Sequence, residues 1–288
     1  MADAKITALT DGSPVITDIA PYVSDPAGTP VTKKSTFQHI ADLFSTLTQT
    51  LSGKTITDLL IQGIWTGWVS ANETWTYESA STFSVAADVT TKYQKGDKIK
   101  WTQTTVKYGV IVSVGAYSGG KTIMTIAVNN DYTIANAAIS VNSYSREESP
   151  LGFPEYFNYT PVWTSSGTAV SLGNGSIVGR YSIKGQKVKV MVDLAFGSST
   201  TYGTGNYWIS LPVNANASEI SYNPIGTLVI FDSSDTYKPY LGTANYDAAD
   251  RTKVKFITHL NTVAVGQLSP VTFASSDEIR FFADYQLV

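Results

Sequence analysis

From Thr160 to Leu194 the chain reads TPVWTSSGTAVSLGNGSIVGRYSIKGQKVKVMVDL: apolar and polar residues alternate, a Gly interrupts, and the alternation resumes. A period of two belongs to a strand with one buried face, whereas a helix repeats every 3.6 residues. Val188, Val190, Val192 and Leu194 fall on one face of such a strand. Lys187, Lys189, Met191 and Asp193 fall on the other. Lys184-Gly185 reads as a two-residue hairpin turn in which Gly takes a positive φ. Further strands are expected at NYWISLPV, PIGTLVIFD, YKPYLGTAN, KVKFITH and DEIRFFADYQL. So many short strands over residues 151–288 predict a C-terminal β-sandwich of jelly-roll type.

The same signal extends upstream. TFSVAADVT, DKIKWTQTTV, KYGVIVSVG and KTIMTIAV are rich in β-branched residues and bounded by Gly, Asp and Asn, which predicts a small, β-barrel-like middle domain over 61–150. The charged, proline-bearing stretch SREESPLGFP at 145–154 marks the boundary between the two. Residues 1–60 differ. Pro14, Pro21, Pro26 and Pro30 punctuate an aperiodic start, because Pro fits neither a helix interior nor a central strand. The expectation for residues 1–34 is an extended arm with a few short strands or, alternatively, a disordered tail, followed by a helix over 35–51 opened by a Ser35/Gln38 capping box. Phe37, Ile40, Phe44, Leu47 and Leu51 form a stripe along that helix. The stripe suits a self-associating seam or an amphipathic helix packed on its own domain, and two heptads do not separate these readings.

Composition narrows the function. Only 15% of residues are charged, against about 25% on average, and Thr, Ser, Asn, Gly and Tyr take their place. The net charge of −3 and the lack of any basic run argue against general nucleic-acid binding. With no cysteine, disulfides and thiolate metal sites are excluded. The first residues lack the apolar core of a signal peptide, and the longest apolar run, YGVIVSVGAY, is too short for a membrane-spanning helix.

Motifs that carry chemistry are few. GAYSGGKT at 115–122 has the spacing of a phosphate-binding loop, but the alternating TIMTIAVNND that follows is a strand and not the required helix. A hairpin tip is the expected structure. His39 and His259 lack a partner at metal-ligand spacing. The loop acids Asp232/Asp235 and Asp247/Asp250 suit turn formation, with sugar hydrolysis and Ca²⁺ binding as their functional alternatives. No catalytic residue, metal or cofactor is expected. Trp65, Trp68 and Trp75 cluster in the middle region. Aromatic rings among Ser, Thr and Asn suit a sugar or protein receptor, although aromatics also fill cores. The receptor-contact expectation falls on Tyr202, Tyr207, Trp208 and Trp163, around the loop GSSTTYGTGNYW.

The opening KITALTDGSPVITDIAPYVSDPAGTPVTKKSTFQHIADLF resembles the N-terminal region of tailed-bacteriophage virion structural proteins. YQKGDKIKWTQTTVKYGVIVSV and NNDYTIANAAISVNSYSREESPLGFP are similar to a module of phage tail and fibre proteins. YTPVWTSSGTAVSLGNGSIVGRYSIKGQKVKVMVDLAFGSSTTYGTGNYWISLPV resembles their C-terminal β-domains. The resemblance implies a non-enzymatic virion protein, assembled in the host cytoplasm. It would be anchored to other virion proteins through residues 1–60, commonly trimeric, and attached to a host-surface saccharide or protein through the C-terminal domain. A head fibre, decoration protein or connector with a purely structural role is the alternative, and a polysaccharide-trimming hydrolase a further one.

Overall fold

A computed structural model describes residues 19–24, 31–36, 66–216, 224–247, 249–259, 264–266 and 269–287. The chain divides into two compact units, 1–63 and 64–288. In the first, β1 (Ile19–Ser24) and β2 (Val31–Thr36) form an antiparallel hairpin. Pro21 is tolerated there because a two-stranded ribbon has only edge strands. Ser35 pairs with Ala20 in this ladder, so no helix starts at Ser35 and the expected Ser35/Gln38 cap is corrected. Phe37, Ile40, Phe44, Leu47, Leu51 and His39 lie outside the described residues, as does Trp65.

The described residues of the second unit are mainly β. Its first sheet contains β3 (Val69–Ser70), β4 (Thr76–Ser79), β5 (Thr82–Val85), β6 (Lys98–Gln103), β7 (Thr105–Val114), β8 (Thr122–Val128) and β9 (Ser140–Ser145), in the spatial order β3-β9-β6-β7-β8-β5-β4. Its second contains β10 (Phe157–Tyr159), β11 (Trp163–Ser165), β12 (Ser176–Lys184), β13 (Lys187–Ala195), β14 (Tyr207–Ser210), β15 (Pro224–Asp232), β16 (Lys238–Tyr246), β17 (Lys253–Thr258) and β18 (Glu278–Gln286). These nine make one continuous ladder, β10-β12-β13-β18-β15-β16-β17-β14-β11. Among the described residues, no helix is long and apolar enough to cross a membrane.

Connectivity forces both sheets to curl. β10 and β11 are opposite edges of the nine-stranded sheet, yet only residues 160–162 join them. Laid flat, eight interstrand spacings of about 4.8 Å would hold those edges about 38 Å apart. The linker spans at most about 14 Å at roughly 3.6 Å per residue. The sheet therefore bends into a half-barrel until its edges approach. The Tyr159 hydroxyl on β10 reaches the Ser210 carbonyl on β14, 3.2 Å away. The seven-stranded sheet obeys the same constraint: its edges β3 and β4 are joined by residues 71–75 alone, and Asn142 Nδ2 on β9 donates to the carbonyl of Glu73 in that link at 3.1 Å.

Each curl encloses a core. Val188, Val190, Val192 and Leu194 point into the nine-stranded sheet against Leu228, Ile230, Phe256 and Phe281. Their alternating partners Lys187, Lys189, Met191 and Asp193 point outward, as the period of two predicts. Gly185, φ +58°, turns the β12–β13 hairpin; since Lys184 pairs with Lys187, the central residues are Gly185-Gln186, one step later than the expected Lys184-Gly185. In the other sheet, Trp75 stacks on Phe83 at 4.3 Å, over Ile99, Trp101, Ile111 and Met124.

The two cores meet. Val110 on β7 and Ala127 on β8 face away from their own core and belong to that of the nine-stranded sheet. This explains why the run YGVIV is continuously apolar: Val110 and its neighbour Ile111 are both fully buried, on opposite faces. Rings continue across the junction, from Tyr108 to Tyr132 (6.0 Å), to Phe157 (6.4 Å), to Tyr181 (5.5 Å). The Tyr181 hydroxyl donates to the Val128 carbonyl at 2.7 Å.

Candidate functional site

The connections β11–β12 (residues 166–175) and β13–β14 (196–206) lie side by side at one end of the curled sheet. Ser, Thr, Gly and Asn dominate both, and such residues would leave a lone loop mobile. Here each loop satisfies the other. Ser171 and Thr201 exchange both backbone hydrogen bonds, at 2.8 and 2.9 Å. The Gly167 N–H donates to the Thr204 carbonyl (2.9 Å), the Thr168 N–H to Thr204 Oγ1 (2.9 Å), and the Asn206 N–H to Ser166 Oγ (2.8 Å). Farther along, the Asn174 N–H donates to Ser199 Oγ and the Ser199 N–H returns to Asn174 Oδ1, both at 2.9 Å.

Glycine permits the approach. Gly203 adopts φ +58°, and a Cβ there would lie 2.3 Å from the Thr168 carbonyl oxygen, closer than any side chain allows.

Aromatic rings hold the pair from beneath. Phe196 contacts Trp163 at 5.2 Å, Tyr202 at 5.2 Å and Phe273 at 5.1 Å. Tyr207 meets Trp163 edge-on at 5.1 Å and donates its hydroxyl to the Tyr202 carbonyl at 2.8 Å. Burial pushes the Tyr207 phenol pKa up; burial, then the Asp277 carboxylate, does the same to Tyr202.

The expected contact residues thus separate. Tyr207 is fully buried and Trp163 is 6% exposed, so neither ring is open to a receptor; both are corrected to core residues, because inward positions of strands at this end of the sheet fill its mouth. Tyr202 is half-buried, leaning on Phe196. Trp208, between inward Tyr207 and Ile209, points outward and is half-exposed, with Lys253 Nζ 4.5 Å from its ring centroid. What sequence reading missed is the 166–175 loop, half of the shelf. Its Gly-Thr-Ser-Asn composition mirrors that of 197–206, and that likeness was the available signal.

The shelf carries no formal charge: 160–179 and 194–210 contain no Asp, Glu, Lys, Arg or His. It presents hydroxyls and amides, from Thr168, Asn174, Ser198, Thr201, Thr204 and Asn206, on a backbone already satisfied internally. Such a surface suits a neutral, hydroxyl-rich ligand bound by many modest hydrogen bonds.

Other candidates take up local roles. Asp232 caps the turn at Ser233–Asp235 by accepting from the Ser234 N–H at 2.9 Å, and Asp235 pairs with Lys238. Asp247 accepts from the Ala249 N–H, and Asp250 from the Thr252 N–H and hydroxyl. His259 is exposed beyond β17. GAYSGGKT is the β7–β8 hairpin, with Gly119 and Gly120 both at positive φ. Trp75 and Trp101 are core residues, and Trp68 donates its indole N–H to the Leu151 carbonyl at 2.8 Å. Among the described residues, no three His, Cys, Asp or Glu side chains group as metal ligands do. In comparisons with known proteins, no family model, no curated protein and no solved structure matched the chain.

Proposed function

We propose that the chain is a non-enzymatic virion structural protein, a phage tail fibre or tail-tip subunit, whose 166–175/197–206 shelf attaches to a neutral saccharide or a protein on the host surface. The observation that carries the attachment reading is the uncharged shelf itself: two polar loops zipped together by backbone hydrogen bonds and propped on aromatic rings. Order before binding lowers the entropic cost of capture. The virion assignment rests on the sequence resemblance described above. In this reading the curled nine-stranded sheet is the counterpart of a jelly-roll head, residues 1–60 anchor to other virion proteins, and Phe37, Ile40, Phe44, Leu47 and Leu51 assemble a trimer.

The test is adsorption of the purified chain to host cells. The Thr201 backbone forms the zipper while its side chain is exposed, so Thr201→Lys adds a charge without breaking the fold. Adsorption should fall about tenfold, the equivalent of 1.4 kcal/mol, at unchanged melting temperature. Trp208→Ala should behave alike. Full adsorption by both variants would overturn the shelf as the contact surface.

One observation favours the purely structural alternative. On the outer face of the nine-stranded sheet, Val178, Leu241 and Phe282 are exposed by 53, 59 and 57%, which suits packing against another virion subunit. In an imaged particle, a head location with this face covered and the shelf occluded would select that reading.

A further inference from the structure

β6 opens with a lysine where a strand of this core would take an apolar residue. Lys98 is only 3% exposed, covered by the segment between β9 and β10, and Phe153 of that segment lies with its ring centroid 5.9 Å from Nζ. No hydrogen-bond acceptor or ion-pair partner for its ammonium occurs among the described residues. The two nearby carboxylates are engaged elsewhere. Asp97 accepts from the Gln94 N–H at 2.9 Å and faces Arg146 Nε at 3.7 Å, and Glu148 pairs with Lys184 at 2.5 Å. Burial pushes the Lys98 pKa down, with Glu148 and then Asp97 opposing. The stem of Lys98 is buried, but Nζ is not among the fully enclosed polar atoms, so the ammonium opens toward the surface without a protein acceptor, where an anion can meet it.

Lys98 borders a polar cleft of about 360 Å³ at the junction of the two sheets, within the size range of small-ligand sites. Lys95, Arg146 and Lys184 line it too, so four cations face two carboxylates. The backbones of the two sheets approach closely at its floor: a Cβ on Gly96 would meet the Gly185 carbonyl oxygen at 2.5 Å.

We propose that this cleft is an oxyanion site, in which Lys98 donates to a phosphate or carboxylate group of a small polar ligand and Arg146 and Lys184 hold its rim. The site is separate from the uncharged shelf, and its fate is independent of that reading.

Calorimetric titration of the full chain at constant ionic strength tests it, with inorganic phosphate and with glucuronate, and glucose as the neutral control. Saturable binding of at least one anion and none of glucose is expected; the tighter anion identifies the source chemistry. Lys98→Met should weaken binding at least about tenfold without lowering the melting temperature, since Met keeps the packing of the buried stem and no protein hydrogen bond is lost. A merely structural lysine would lower the melting temperature on replacement. Lys238→Met, outside the cleft, should bind as the parent does. Absence of saturation by either anion overturns the proposal, as does parental affinity in Lys98→Met. Should Lys98→Met fail to fold, Arg146→Gln replaces it: weaker binding supports the site and unchanged binding overturns it.

Discussion

Gly203→Ala tests whether the shelf is held by close approach. Two glycines with almost the same φ make the comparison: Gly203 at +58° and Gly119 at +59°. At Gly119, the β7–β8 hairpin tip, an added Cβ meets nothing within 4 Å. There Ala bears only the left-handed backbone penalty, about 1–2 kcal/mol. At Gly203 the same penalty applies, but the Cβ also falls 2.3 Å from the Thr168 carbonyl oxygen and 3.0 Å from the Ala169 carbonyl oxygen. Backbone atoms cannot swing aside as a side-chain tip can, so the loops must separate. Overpacking of this kind adds about 1–3 kcal/mol. The zipper bond from the Thr204 N–H to the Thr168 carbonyl, already long at 3.4 Å, would go with it. Gly203→Ala should therefore destabilise the chain by about 2–5 kcal/mol in urea unfolding, against about 1–2 for Gly119→Ala. Hydrogen exchange should report faster opening at Gly167, Ser171 and Thr201 in Gly203→Ala alone. Equal costs for the two variants, with unchanged exchange in 166–175, would refute the zipper.

Three further outcomes follow from the geometry. Tyr181→Phe removes the buried 2.7 Å bond to the Val128 carbonyl and should cost about 1–3 kcal/mol, with Trp75 and Trp163 fluorescence still reporting one coincident transition; two separated transitions would show that the sheets unfold independently. The Thr252 hydroxyl and N–H hold the Asp250 pKa below its usual 3.8, so its contribution to stability is present above that value and lost as pH falls through the lowered one. Asp250→Asn should flatten the acid limb of a stability-versus-pH curve below about pH 4, and an unchanged limb would count against the turn role. Tyr202→Ala should lower the melting temperature as well as adsorption, because the ring leans on Phe196 and its loss leaves a void; adsorption lost at constant melting temperature would show a ring that only contacts receptor.

The registers most legible in sequence are those with one wet face. In KVKVMVDL every second side chain must be apolar to reach the core, so the period of two survives translation into a strand, and the Gly of a tight hairpin is equally plain. The Ser35 cap failed for the opposite reason. A capping box is a local preference of order 1 kcal/mol, and pairing of Ile19–Ser24 with Val31–Thr36 outweighs it. Trp163 and Tyr207 were misread for a related reason. An aromatic among Ser, Thr and Asn looks like a loop-tip contact until the inward direction of its strand position is known.

Composition and alternation by themselves determined a β protein with a weakly charged, hydroxyl-rich surface and without thiol chemistry, because these depend on residue type and on neighbours one or two positions away. Only the tertiary structure decided that each sheet curls, since the curl comes from short links between strands that end up on opposite edges. The pairing of 166–175 with 197–206 and the covering of Lys98 by the segment after β9 arise likewise from contacts between stretches far apart in the chain. Those contacts are set by topology, and topology leaves no periodic trace in sequence.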